Sequence, residues 1–94
     1  AICRRQLARN ILYIGRYYFG IGAYQSVISR MDELLGNYPK QKFLDEAIFL
    51  LGESYLKEDN KEKAYFAFKN LVQKFPNSIY KADARSRLAS LKGK

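Results

Sequence analysis

The stretch IFLLGESYLKEDNKEKAYFAFKNLVQKFP, residues 48–76, decides the fold. Its apolar side chains recur three and four apart, at Ile48, Leu51 and Tyr55 and again at Ala64, Phe68, Leu71 and Phe75. No strict alternation lasts long enough for a strand. Two helices follow from that spacing, about Leu44 to Lys57 and about Lys61 to Phe75. The polar run Lys57-Glu58-Asp59-Asn60 forms the turn between them, with Asn60 as the residue expected to take a left-handed conformation. Pro76 stops the second helix. Gly52 sits mid-helix, where glycine costs about 1 kcal/mol relative to alanine. A close helix–helix approach offsets that cost, with Tyr55 one turn on covering the seam and Ala64 as the small surface opposite.

The same pattern occurs earlier in the chain. Sliding the sequence by 37 residues places Ile11 on Ile48, Ile14 on Leu51, Gly15 on Gly52, Tyr18 on Tyr55, Val27 on Ala64, Met31 on Phe68, Leu34 on Leu71, Tyr38 on Phe75 and Pro39 on Pro76. The matches fall at apolar, glycine, aromatic and proline positions while the polar residues drift, which is what packing imposes. Helix one is expected over about Arg5 to Gly20, the permissive Gly20-Ile21-Gly22 turn follows, and helix two covers about Ala23 to Asn37. Beyond Pro76, Asn77 or Ser78 caps a last helix of about Ile79 to Leu91. In the repeat frame Tyr80, Ala84 and Leu88 fall on Phe43, Ala47 and Leu51, but Arg85 replaces Ile48 and Lys92 replaces Tyr55. One polar face of this kind marks a terminal cap. The expectation is one all-α domain over residues 1–94: repeat one about 5–39, repeat two about 44–76 and a capping helix about 78–91.

Composition narrows the function. Apolar residues make up 48% of the 94-residue chain and charged residues 28%, which is the balance of a folded domain with a packed core. No run of 18 apolar residues reads as a membrane span. With no histidine, a lone Cys3, no phosphate-binding loop and carboxylates scattered on helix surfaces, no catalytic, cofactor or metal constellation emerges. Cys3 reads as an ordinary small side chain. Seventeen basic residues against nine acidic ones give a net charge of +8, and five arginines (Arg4, Arg5, Arg9, Arg16, Arg30) precede the first acid, Asp32. That imbalance favours an acidic partner without specifying its kind. Arginines among eight tyrosines are also compatible with single-stranded nucleic acid, yet most of the aromatics occupy repeat-core positions.

Two surfaces carry candidate contacts. The concave-face positions of the two first helices fall at Arg9, Leu12, Arg16 and Phe19, then at Glu46, Phe49, Glu53 and Leu56. Arg9 aligns with Glu46 and Arg16 with Glu53. These opposed charges read as surface pairs worth at most about 1 kcal/mol each. The functional alternative is a peptide groove on this concave face, using Arg9, Arg16, Phe19, Phe49 and Glu53. Tyr13 and Tyr17 lie one turn apart on the side of helix one that faces away from its partner, and an uncovered aromatic pair favours self-association of the chain as a dimer or by helix exchange.

Ile48, Leu51, Gly52, Tyr55, Ala64, Phe68, Leu71 and Pro76 resemble the tetratricopeptide repeat, which implies tetratricopeptide-like helical hairpins in a right-handed α-solenoid fragment. Three extra residues after Pro39 lengthen the period beyond about 34. More specifically, Tyr13-Ile14-Gly15-Arg16-Tyr17-Tyr18-Phe19, Gly22-Ala23-Tyr24, Ile28-Ser29-Arg30, Tyr38-Pro39, Leu51-Gly52-Glu53-Ser54-Tyr55 and Phe75-Pro76-Asn77-Ser78 resemble the C-terminal repeats of the BamD family of outer-membrane assembly lipoproteins. The resemblance implies a non-catalytic scaffold on the periplasmic face of the outer membrane. Its protein partners would be the last POTRA domain of BamA and other lipoproteins of the assembly machine. Membrane contact would come only through a lipid anchor outside this chain, and no nucleic acid would be bound. The family's motif places Arg30 opposite an acidic residue of the POTRA domain, with Tyr24 at an aromatic position on the same helix. The family's pocket for barrel-protein signals lies in earlier repeats. A periplasmic tetratricopeptide module of the cell-division-coordinator kind is the rival within the scaffold class, and a basic helical nucleic-acid-binding domain the rival outside it.

Overall fold

Five helices form along the chain in a computed structural model that describes residues 4–39 and 42–92: α1 (Arg4–Gly20), α2 (Tyr24–Asn37), α3 (Leu44–Lys57), α4 (Lys61–Lys74) and α5 (Lys81–Lys92). Cys3 lies outside the described residues, as do Lys40 and Gln41 of the linker after Pro39. No strand occurs among the described residues. Each helix packs on the next in chain order, and α1 also meets α3, so tetratricopeptide-like hairpins stack side by side along a 48 Å axis.

The hairpin turns repeat atom for atom. After α1, the N–H of Ala23 donates to the carbonyl of Tyr18 (2.9 Å) and that of Gly22 to Phe19 (3.2 Å); after α3, Asn60 donates to Tyr55 (2.8 Å) and Asp59 to Leu56 (3.0 Å). This paired closure of a helix C-terminus requires a left-handed residue at the second-to-last position of the set. Gly22 takes it with φ of 80°, and Asp59 takes it with φ of 60°. The expected left-handed Asn60 is therefore one position off. Its φ is −102°, and its side chain instead caps α4 by accepting the Lys63 N–H at 3.3 Å.

The glycine seats differ from expectation in one partner. A Cβ on Gly52 would lie 2.7 Å from the Phe68 ring, and one on Gly15 would collide with the Met31 methyl. Phe68 and Met31, themselves equivalent in the repeat, are both completely buried. Ala64 is buried as well, but the side chain opposite Gly52 is the large ring of Phe68, because the volume a side chain would have taken is filled by the partner helix's largest fully buried residue. Tyr18 and Tyr55 are half-buried against this seam.

Helix α3 divides the core. Leu44, Ala47 and Leu51 join Ala8, Leu12, Val27, Met31 and Leu34 in one cluster, while Ile48 joins Ala64, Ala67, Phe68, Leu71 and Ala84 in a second. Leu35, Tyr55 and Phe75 pack against both and connect them. Helix α5 begins at Lys81, two residues after the expected Ile79, because Ser78 and its neighbours form a tight turn first. The Ser78 hydroxyl accepts the Tyr80 N–H at 3.0 Å and donates to Asp45 at 2.6 Å, which ties the cap to the first turn of α3. Ala84 is the one fully buried residue of α5, with Leu88 and Leu91 half-buried against the second cluster.

Alanine at Gly52 must displace a ring locked in the core, whereas alanine at Gly15 meets only the free end of a flexible methionine. Gly52→Ala is expected to lose about 1–3 kcal/mol despite alanine's better helix propensity, and Gly15→Ala to stay within about 1 kcal/mol of the parent, as read from urea midpoints. Asp59→Gly is expected to gain about 1 kcal/mol in the same measurement, since it removes the steric cost of a left-handed Cβ.

Candidate protein-docking surfaces

Arg30 projects from the exposed side of α2. Its Nη1 donates to Glu33 Oε1 at 3.1 Å, three residues on, and both side chains keep more than two-fifths of their surface in water. In the repeat frame its counterpart is Ala67, which is buried at 7%. The position thus lies next to a packing seam, and the long arginine carries its charge clear of it. Tyr24 is half-buried and meets Phe19 edge to face, with ring centres 5.5 Å apart. Six residues separate Tyr24 from Arg30, which sets them roughly 120° apart around the helix. The structure therefore does not gather these two residues into one patch.

On the first-helix face the charges pair differently from their alignment in sequence. Arg16 grips Glu46 through Nε and Nη2, and Arg87 of α5 grips Glu53 at 2.7 and 3.3 Å. Neither Arg9–Glu46 nor Arg16–Glu53 forms. Equivalent positions in sequence are not neighbours in space, because α3 is shifted along α1 and brings its first turn beside the later part of that helix. The Glu46 bond raises the Arg16 pKa above its ordinary value, so that pair holds a permanently charged guanidinium group. Arg9 lies over the Phe43 ring, 5.3 Å from its centre. Leu12 is buried in the first cluster and reaches solvent only as the floor of a small cleft. Phe19 and Phe49 are half-buried: Phe19 packs on the first cluster, and Phe49 stacks on Tyr80 at 5.1 Å while meeting Phe68 at 5.7 Å. Burial, with Glu46 and Asp45 adding to it, pushes the Tyr80 hydroxyl up, so that ring stays neutral. Arg87, Phe43 and Tyr80 escaped the sequence reading.

A third surface emerges from comparing α1 with α3. Leu44, Ala47, Leu51 and Ser54 form a buried stripe on α3, the first three of them clustered with Val27, Met31 and Leu34 of α2. Their counterparts on α1 are Leu7, Asn10, Ile14 and Tyr17, all exposed, with Tyr17 at 64% and Tyr13 beside them at 48%. The first helix thus repeats a stacking stripe that carries no cover among the described residues.

The described residues hold no cluster of three metal-ligating side chains, and no helix is long and apolar enough to cross a membrane. Stacked hairpins whose exposed faces carry paired and unpaired arginines define a helical-repeat protein. The sequence profile of the YfiO family, described as outer membrane lipoprotein, matches residues 1–65, and the chain belongs to that family. Membership places it at the outer membrane. Among similar proteins, the outer membrane protein assembly factor BamD of Pasteurella multocida is 32% identical over 87 aligned positions, covering 73% of this chain and 34% of that protein. The factor of the same name from Neisseria meningitidis is 29% identical over 74 positions, covering 79% of this chain and 28% of that one. An uncharacterized protein of Treponema pallidum is 30% identical over 87 positions, covering 87% of this chain and 17% of its own length. The chain thus spans about a third or less of each of these relatives.

The two stripes yield a paired prediction. Leu51→Ala is expected to lose about 2–5 kcal/mol by opening a cavity, and Ile14→Ala, at the equivalent but exposed position, less than about 1 kcal/mol, both from equilibrium denaturation.

Proposed function

We propose that this chain is a non-catalytic docking module of the β-barrel assembly machinery on the periplasmic face of the outer membrane, and that α2 holds the last POTRA domain of BamA through Arg30. Family membership supports the assembly role, and the state of Arg30 supports the residue. A guanidinium keeps its charge at any relevant pH and offers parallel donors to a carboxylate. Its present hold on Glu33 is a single exposed bond between residues three apart, worth well under about 1 kcal/mol. A partner carboxylate exchanges with Glu33 at little cost. Helix α2 is anchored from below by Val27, Met31 and Leu34, so the arginine stands on a rigid element rather than on a loop.

Arg30→Glu places like charge against the partner's acid and is expected to weaken binding of the isolated POTRA domain by tenfold or more in isothermal titration calorimetry, with an unchanged melting temperature. Undiminished affinity removes Arg30 from the contact.

A further inference from the structure

Across the first-helix face, charge is neutralised in pairs except at one end. Arg16 is held by Glu46 and Arg87 by Glu53, while Arg9 rests only on the Phe43 ring and has no carboxylate partner among the described residues. Arg5 is exposed one turn before Arg9 on the same side of α1, and no acid occurs in the chain before Asp32. Arg9, Leu12, Tyr13, Arg16, Phe43 and Glu46 enclose a cleft of about 190 Å³. Its walls combine a free positive charge, aromatic edges and the buried floor of Leu12. A volume of that order accepts one side chain, and the unpaired guanidinium sits at its rim.

We infer that this cleft is a docking site, separate from Arg30, for an extended partner peptide that offers an acidic side chain to Arg9 and seats an adjacent aromatic or large aliphatic side chain against Phe43, Leu12 and Tyr13. Charge complementarity selects an acidic segment, because the described residues supply no carboxylate to Arg9. Glu46 sets the polarity of the site. It neutralises Arg16 and leaves Arg9 as the one unpaired cation lining the cleft among the described residues, so the peptide's acid goes to Arg9 and its apolar residue lies against the rings. A peptide is favoured over nucleic acid because guanidinium groups already cover the ring faces that bases require: Arg9 lies over Phe43, and Arg16 over Tyr13 at 5.1 Å.

The test uses the 94-residue chain and a fluorescein-labelled octapeptide with two glutamates flanking one phenylalanine, followed by fluorescence anisotropy. Arg9→Glu is expected to weaken binding at least tenfold. Lys69→Glu makes the same change of net charge at an exposed site on α4 and is expected to leave affinity within twofold, as is Arg30→Glu, which separates this site from the POTRA contact. Replacing the peptide's phenylalanine with serine is expected to cost a further tenfold. Glu46→Gln frees Arg16 and is expected to tighten binding. Equal losses for Arg9→Glu and Lys69→Glu overturn the proposal by showing unspecific charge attraction, as does indifference to the phenylalanine. Displacement of the peptide by a single-stranded oligonucleotide of comparable affinity overturns it in favour of nucleic acid. Circular dichroism melting of each variant guards against unfolding: a loss of binding by an Arg9→Glu chain that melts like the parent supports the site, and retained binding sinks it.

Discussion

Met31 and Phe68 lie across Gly15 and Gly52, occupying space that any other residue would fill with a Cβ. This interlock fixes the separation within each hairpin, and with it the separation of everything the hairpin displays. A larger residue on either side pushes the helices apart, while a smaller one opposite leaves a void; both are penalised in a close-packed interior. The mid-helix glycine is locally unfavourable by about 1 kcal/mol, so the fold accepts a weaker helix in exchange for a tighter pair. The two seats are not equally rigid. A methionine tip can swing aside, but the Phe68 ring has Phe49 against it and the second cluster around it. The second hairpin is therefore the stiffer of the two.

Stacking one hairpin on the next relies on a different device. Leu44, Ala47 and Leu51 are pressed onto α2, whereas Ile48, on the other side of the same helix, belongs with α4 and α5. A helix that is apolar on two sides transmits the position of one hairpin to the next, and α3 is the element that does so here. The cap follows by both apolar and polar means, with Leu88 and Leu91 packed on the second cluster and polar ties beside them. Ser78 ties α5 to Asp45, Arg87 ties it to Glu53, and Ala84 alone is fully buried. Exposed pairs of this kind contribute little stability, but two bonds per guanidinium restrict the angle at which α5 lies.

Much of this was legible in the chain before any coordinates. Helix number, the hairpin frame and the close approach at the two glycines follow from a 37-residue recurrence, because packing acts directly on side-chain size and spacing, whereas Phe68 in place of Ala64 opposite Gly52 does not. The position of the left-handed residue was missed by one, since asparagine is the better intrinsic candidate and the hydrogen-bonded closure, not propensity, assigned the conformation to Asp59. The ion pairs were not legible. They depend on how far α3 slides along α1, and nothing in the recurrence encodes that displacement. Arg87 and Phe43 became visible as site residues only once that displacement was known.

The same displacement sorts the arginines by what they can still bind. Arg16 and Arg87 each donate two bonds to one carboxylate, and a partner's acid would have to break both before gaining any. Arg30 holds Glu33 by one exposed bond, and Arg9 lies on an aromatic face with no carboxylate on its donors among the described residues. A guanidinium stacked on a ring can still accept an in-plane carboxylate, because the two contacts use perpendicular directions of the same group. Among these four, reactivity toward an acidic partner is therefore confined to Arg9 and Arg30. They stand on different helices of the first hairpin, which pack together with Met31 over Gly15 and Ala8, Leu12, Val27 and Leu34 around it.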